Sequence, residues 1–303
     1  MSLKESLELY GNVLENEPLS KHTSYKIGGP ADYFVEPDRL ESIKPILDLF
    51  HEAGLRPLVL GNGSNVLVGD GKLHAGVIHL GKAFSEYEID ENNVLTAGAG
   101  CSLITLAFET MQKSLSGLEF ASGIPGCVGG GLYMNAGAYR SDLSSILKEV
   151  YIYRDGRLEW IPKEELEYAY RKSAFQKHKD WVILAARFQL EPGNREEISA
   201  LISNRKQRRL DSQPVDKPCA GSVFRNPDGF NAWKIVEDLG YRGKKCGGAQ
   251  VSSKHCNFII NADGNAKAKD VLNLITQIQK DAREKFGIEL ITEVERIETD
   301  EEA

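Results

Sequence analysis

Three short stretches place polar residues where a side chain could do chemistry. YRKSAF (170–175) puts Tyr170 beside Arg171, AGSVFRNP (220–227) sets Ser222 after a glycine and ahead of Arg225 and Asn226, and TEV (292–294) carries Glu293. A planar guanidinium can grip a carboxylate through two parallel N–H bonds. A hydroxyl can hand over a proton if geometry places it against a strong base. Each also fits a structural role: an alternating strand normally solvates its carboxylates, and a serine without a partner base is a poor nucleophile. None of the six histidines falls in a ligand pattern such as H-E-x-x-H, so no metal is expected. The five cysteines (Cys101, Cys127, Cys219, Cys246, Cys256) are odd in number and lack a C-x-x-C, which reads as small thiols in a reducing compartment.

Two glycine-rich stretches point to chemistry of the backbone. In GNGSN (61–65), Gly61 and Gly63 allow turns with φ > 0, and successive N–H groups can then converge as an anion nest. Asn-Gly is equally a hairpin signal. GIPGCVGGGLYMNAGAY (123–139) holds six glycines and no acidic or basic residue. Glycine loses the most backbone entropy on folding, so bare backbone here must be useful, either for tight loop packing or for lying against a flat or phosphorylated group. Neither stretch is a G-x-G-x-x-G after a strand, so the usual dinucleotide fold is not indicated. GVIHLGKA (76–83) has P-loop spacing, but Ala83 stands where a Mg²⁺-binding hydroxyl is required, and the apolar intervening residues read as strand.

The elements that would carry these residues alternate between helix and strand. DRLESIKPILDLFHEAG (38–54) reads as a helix capped by Asp38, boxed by Glu41 and ended by Gly54. RPLVLGNGSNVLVGDG (56–71) reads as strand, loop and strand, with further strands at 77–80 and 91–100 and Ser102 capping a helix over roughly 103–115. KEVYIYRDGRLEWIP (148–162) reads as a hairpin turning at Asp155-Gly156, and DWVILAARFQLEP (180–192) as a strand. EPGN marks a boundary, and Asn194 caps a helix to about residue 210. A helix near 231–239, a strand over 256–262, a long helix over 266–286 closed by Gly287, and a last strand over 288–298 complete the pattern, before the acidic tail TDEEA.

Length and composition bound the rest. At 303 residues, with 41% apolar and 27% charged residues, the chain suits two or three soluble domains. A net charge of −7 argues against nucleic acid, and the one basic run, NRKQRR (204–209), fits a solvated helix face. No signal peptide and no run of about 18 apolar residues is present, so a cytoplasmic protein without membrane insertion is expected. Nothing marks an obligate protein partner.

Read in order, seven segments form one pattern: HTSYKIGGPA (22–31), LVLGNGSNVLV (58–68), SGIPGCVGGGLYMNAGAY (122–139), YAYRKSAF (168–175), AGSVFRNP (220–227), GGAQVSSKHCNFIIN (247–261) and LITEVERIE (290–298). The chain resembles the UDP-N-acetylenolpyruvoylglucosamine reductases, flavoenzymes of peptidoglycan precursor synthesis, over essentially its whole length. The stretch between Arg171 and Trp181 has no room for an extra substrate-clamping loop, as in the shorter, type II branch.

The resemblance implies an α+β fold. A two-part FAD-binding region of the vanillyl-alcohol-oxidase-like (PCMH-type) class would span residues 1–80 and 81–205, and an α/β substrate domain 206–293, with the tail 294–303 returning to the first part. It implies non-covalent FAD and NADPH as co-substrate. NADPH reduces FAD and leaves. UDP-N-acetylglucosamine enolpyruvate then accepts hydride from flavin N5 at C3 and a proton at C2, giving UDP-N-acetylmuramate. Ser222 matches the family's proton donor, and Arg171 and Glu293 the other two catalytic positions. Beside a carboxylate substrate, Glu293 would be protonated or would orient water or Arg171. The two glycine-rich loops become the FAD site, with Gly61, Asn62, Gly63, Ser64, Asn65, Gly123, Ile124, Pro125 and Gly126 as cofactor contacts, while Gly129, Gly130 and Gly131 serve packing. Tyr170, Asn226, Arg242 and His255 are implied substrate contacts. Glu295 stands where the family usually has arginine, and Trp233 where it has a small residue. The alternative is another FAD oxidoreductase or oxidase of the same fold. Many of those hold flavin covalently through histidine, and no histidine lies in 56–73 or 121–139.

Overall fold

The computed structural model describes residues 1–299. It divides into two compact units: residues 1–15, 33–62 and 75–208 form the first, and 16–32, 63–74 and the chain from Arg209 onward the second. Each has its own apolar core. Phe50, Leu95, Leu103, Val150 and Phe188 are among the fully buried residues of the first, and Tyr25, Phe224, Tyr241 and Val271 lie at the centre of the second. The helices are α1 (Leu3–Leu7), α2 (Ile43–Glu52), α3 (Leu103–Gln112), α4 (Val128–Met134), α5 (Arg195–Ser212), α6 (Ala232–Asp238) and α7 (Ala268–Phe286).

The first unit is built on a five-stranded antiparallel sheet in the order Arg157–Pro162, Leu147–Arg154, Val182–Gln189, Val94–Gly98, Tyr87–Ile89. The expected hairpin is present: Arg154 pairs with Arg157, and Asp155 (φ 49°) and Gly156 (φ 77°) both turn left-handed, as a type I′ turn requires. Ser102 caps α3 by accepting the Thr105 N–H at 3.3 Å. Asn194 caps α5 through the Glu197 N–H at 3.0 Å. A second sheet runs Gly11–Pro18, Pro30–Pro37, Leu73–His79, Arg56–Leu60, and its Arg56–Leu60 edge pairs in parallel with residues 75–79.

The second unit carries a three-stranded sheet, Lys245–Cys246, Ala249–Val251, Ile259–Asn261, with α6 and α7. At the start of helix α7 Asp270 reaches back to accept the Lys267 N–H at 3.0 Å, and Asp70 adds a cap from a distance, accepting from the N–H of Ala268 at 2.8 Å and of Lys269 at 3.2 Å. Gly287, at φ 66°, closes α7 as expected.

Several local expectations are revised. Asp38 does not cap α2: a 3₁₀ turn over Leu40–Ser42 precedes the helix, and the Asp38 carboxylate accepts the Ser42 hydroxyl at 2.6 Å instead. GNGSN is no hairpin loop. The strand before it, Arg56–Leu60, pairs with 75–79, whereas the strand after it, Val66–Val68, pairs in parallel with Glu295–Ile297. The last strand is correspondingly shorter than 288–298, and the tail beyond Thr299 lies outside the described residues. Residues 128–134 form helix α4 despite three consecutive glycines. Glycine is about 1 kcal/mol worse than alanine in a helix, so no pattern reading favours a helix there. Tertiary packing makes up the difference.

Candidate active site

Arg171 sits in the first unit at the tip of a turn. Ala169 and Lys172 exchange backbone hydrogen bonds, both at 3.1 Å, which makes Tyr170 and Arg171 the two central residues. Arg171 has φ 55°, a left-handed conformation that normally selects glycine or asparagine at this position. Its guanidinium donates to the carbonyl of Gly137 at 2.7 Å and, at a long 3.4 Å, to that of Asn135. It also lies over the Tyr170 ring, 5.1 Å from the centroid. Tyr170 is 54% exposed, so its ring lies at the surface beside the cation.

The segment that cradles this turn is the second half of the glycine-rich stretch. Asn135 ends α4 in a left-handed conformation, and Gly137 opens a tight pairing with Ser141–Asp142. A side chain on Gly137 would meet the Ser141 carbonyl, and also Asp142 Cβ at 2.7 Å. The Ser173 hydroxyl donates to the Tyr133 carbonyl at 2.7 Å, and the Gln176 amide to that of Arg171 at 3.1 Å. MNAGAY therefore holds the YRKSAF turn, a job its sequence does not announce.

Within the first half, the glycines differ. Gly129 packs on a strand end: its N–H donates to Ala99 O at 2.8 Å, and a Cβ there would sit 3.1 Å from Ala99 Cβ. A Cβ on Gly131 would lie 2.7 Å from Leu143 and 3.0 Å from Leu103. Gly130 is exposed and would meet only Cys127 Sγ at 3.8 Å, so it does not serve packing. A side chain on Gly61 would run into Cys127 Sγ, so the GNGSN and GIPGC loops meet inside the first unit. Gly123 and Ile124 are half-buried beside them, Pro125 is exposed, and the Gly126 carbonyl accepts from Leu103 N at 3.1 Å. Burial pushes the nearby Cys101 thiol up to about 11, which keeps it protonated and inert.

The second unit brings Ser222 and Glu293 onto neighbouring backbone. Phe224 and Thr292 form an antiparallel bridge, the Glu293 N–H donates to Val223 O at 2.7 Å, and Arg225 N–H donates to Ile291 O at 2.9 Å. Both Ser222 and Glu293 are half-buried. Asn257, 5% exposed, clamps the serine strand from its other side, accepting from Phe224 N at 3.0 Å and donating to Phe224 O at 2.8 Å. Asn65 fastens the glutamate strand: its amide donates to Glu293 O at 3.1 Å, and its own carbonyl accepts from Glu295 N at 2.9 Å. Gly63, at φ 58°, presses against the His22 carbonyl and Thr23, whereas Gly61 stays out of the left-handed region. Asn62 is exposed and Ser64 half-buried.

The implied substrate contacts of this unit are arranged around α6. Asn226 is exposed, and its side-chain oxygen caps α6 through Ala232 N–H at 3.0 Å. Arg242 pairs with Glu237 and donates to the carbonyl of Ser253. Burial, reinforced by the Arg242 charge, pushes the His255 imidazole below its ordinary range, so it is neutral near pH 7. Phe258 meets its ring edge-on at 4.9 Å, and Trp233 lies tilted at 6.4 Å. Sequence reasoning missed Asn135, Gly137 and Asn257. Only their place beside motif residues could have flagged them.

An FAD binding domain model matches residues 30–161, and the model of the UDP-N-acetylenolpyruvoylglucosamine reductase C-terminal domain matches 213–297. The UDP-N-acetylenolpyruvoylglucosamine reductase of Bacillus velezensis is 48% identical over 288 residues, covering 95% of this chain and 94% of its own. That of Bacillus subtilis is 46% identical over the same share of this chain. The crystal structure of UDP-N-acetylenolpyruvylglucosamine reductase from Thermus caldophilus superposes with a TM-score of 0.81 at 32% identity, covering 94% of this chain and 98% of that one. The α+β architecture and the order of an FAD-binding region before the reductase-type C-terminal domain agree with the expectation from sequence. The chain belongs to the UDP-N-acetylenolpyruvoylglucosamine reductase family.

Proposed function

We propose that this protein is an NADPH-dependent flavoprotein reductase that acts on a C=C bond, converting UDP-N-acetylglucosamine enolpyruvate to UDP-N-acetylmuramate. Family membership over 95% of the chain carries this reading. Residues 1–80 and 81–205 are assigned to FAD and 206–293 to the sugar nucleotide. The chemistry is that of peptidoglycan precursor synthesis in the cytoplasm. Among the described residues no helix is long and apolar enough to cross a membrane.

A side chain on Gly61 would collide with Cys127 Sγ, so bare backbone lets the two glycine-rich loops close on one another, as loops sharing one cofactor must. Gly61 to Asn65 and Gly123 to Gly126 would hold FAD, without a covalent bond. Bound FAD, once reduced by NADPH, supplies the hydride that adds to C3 of the enolpyruvyl group. The protein's residues manage the charge that follows. Electron density moves to C2 and into the substrate carboxylate. Arg171, its guanidinium already oriented by Gly137, stabilises that charge more in the transition state than in the ground state. Ser222 donates the proton to C2 and recovers one from solvent. A serine is a weak acid, but the C2 carbanion is so strong a base that placement matters more than matched pKa. Glu293, hydrogen-bonded through its backbone to Val223, orients the donor's surroundings. Tyr170, Asn226, Arg242 and neutral His255 grip the sugar nucleotide, with Arg242 facing the diphosphate.

The visible spectrum of the purified protein tests the reading. A flavin band bleached by NADPH and restored without oxygen by the enolpyruvyl sugar nucleotide is expected. A colourless protein that takes up no FAD, or a reduced flavin that the sugar nucleotide cannot reoxidise, sinks it.

A further inference from the structure

Asn135 is 1% exposed, left-handed at φ 44°, and closes α4. A cap in that conformation is usually glycine, which takes it without strain. Asparagine adds an amide that glycine lacks, and both ends of the amide are used. The Nδ2 group donates to Ala169 O at 2.9 Å and to Ser144 Oγ at 3.3 Å, while Oδ1 accepts from Ser144 N at 3.1 Å. Ala169 is the residue that closes the Tyr170–Arg171 turn by bonding Lys172. The backbone carbonyl of the same asparagine meets the Arg171 guanidinium. One buried residue thus holds the turn at its base and its cation at the head. It is continuous with Gly137, the guanidinium's shorter partner at 2.7 Å. Glycine could adopt the backbone but not reach Ala169. Aspartate could accept from Ser144 but would set a carboxylate against a carbonyl.

We propose that Asn135 is a positioning residue for Arg171, fixing the strained turn so that the guanidinium points where the substrate's carboxylate gains charge. This rests on the assignment of Arg171 to that carboxylate. Misplacing such a cation by a fraction of its reach weakens an interaction made in the transition state.

The experiment is a double-mutant cycle on the full-length, FAD-loaded protein: Asn135→Gly, Arg171→Ala and both together. Flavin reduction by NADPH and anaerobic reoxidation by the enolpyruvyl sugar nucleotide are followed by stopped flow. Asn135→Gly should slow reoxidation roughly tenfold or more and leave reduction by NADPH within about twofold. In the Arg171→Ala background it should add almost nothing, because the residue it positions is gone. An equal loss in both backgrounds, or in both half-reactions, would show a general structural role and overturn the proposal, as would unchanged reoxidation. If Asn135→Gly does not fold, Asn135→Asp runs the same cycle, since it keeps the shape and the acceptor for Ser144 N–H and replaces the amide donor to Ala169 O and Ser144 Oγ by a carboxylate oxygen. Failure of both variants to hold FAD also overturns the proposal. Reoxidation undiminished by Arg171→Ala alone would instead remove Arg171 from the reaction.

Discussion

At Arg171, the proposed role and stability pull in opposite directions. A non-glycine residue in the left-handed region costs roughly 1–2 kcal/mol, and this one is held there at φ 55° by its turn and by two carbonyls. Arg171→Ala removes the guanidinium and keeps the strain, whereas Arg171→Gly removes both. Both variants should lose most of the reoxidation rate, on the scale of ~3 kcal/mol expected for a lost transition-state donor. In urea unfolding, the glycine variant should be more stable than the alanine one by about 1 kcal/mol; equal midpoints would mean that the turn is not strained. Ser222 gives a second test at this scale. In the proposed mechanism its hydroxyl is not needed until the substrate becomes a carbanion, so Ser222→Ala should leave reduction by NADPH intact and slow reoxidation by roughly 100-fold or more. Normal anaerobic reoxidation would remove Ser222 as the proton donor.

Helix α4 shows what a local pattern hides. Its three glycines look alike in sequence but meet different surroundings. Gly130 is exposed, and a methyl there meets only Cys127 Sγ at 3.8 Å, so Gly130→Ala should stabilise the FAD-free protein by about 0.5–1 kcal/mol through helix propensity. Gly129 faces Ala99, 3.1 Å from a built Cβ, and Ala99 is itself pinned by a 2.8 Å bond to Leu184 O. Gly129→Ala should therefore destabilise, by about 1–3 kcal/mol for an overpacked contact. Thermal melts of the two variants check the contrast; a shared sign would mean that propensity or packing alone governs the helix. The same distinction explains what could be read beforehand. Ser102, Asn194, Gly287 and the Asp155-Gly156 turn act on neighbours within a few residues, so sequence reveals them. The parallel partner of Val66–Val68 lies at Glu295–Ile297, and Asp70 satisfies the first N–H groups of α7. Such long-range pairings leave no local trace, which is why GNGSN reads as a hairpin until its flanking strands are seen apart. The site shows the same limit: Ser222, Arg171 and Glu293 lie in recognisable motifs, whereas Asn135 and Asn257 are ordinary asparagines until their buried amides are seen tying down the backbone around those motifs.

For the molecule as a whole, acid should weaken the second unit through its ion-paired carboxylates. Its segment 16–32 carries two carboxylates that the fold keeps ionised. Burial alone would raise Asp32, but hydrogen bonds from Lys72 at 2.6 Å and His74 at 2.9 Å, with their charges, outweigh it and hold the carboxyl below its ordinary value. Glu17 is likewise lowered against its burial, by His22 at 3.0 Å and Lys21 at 3.3 Å. A carboxyl whose folded pKa is depressed contributes stability that is complete above its unfolded value, roughly pH 4–4.5. That contribution drains away as pH falls through the lower folded value, because the unfolded chain then binds the extra proton. The melting temperature should therefore be nearly level from neutrality to about pH 5 and fall steeply below. Asp32→Asn should lower it at pH 7, where the ion pairs are lost, and should flatten the acid limb, since one of the protons that drives unfolding no longer has a site. Melts of the two proteins between about pH 3 and pH 7 decide the matter. Parallel curves would place the acid-sensitive groups elsewhere, whereas convergence at low pH would assign them to the segment that opens the second unit.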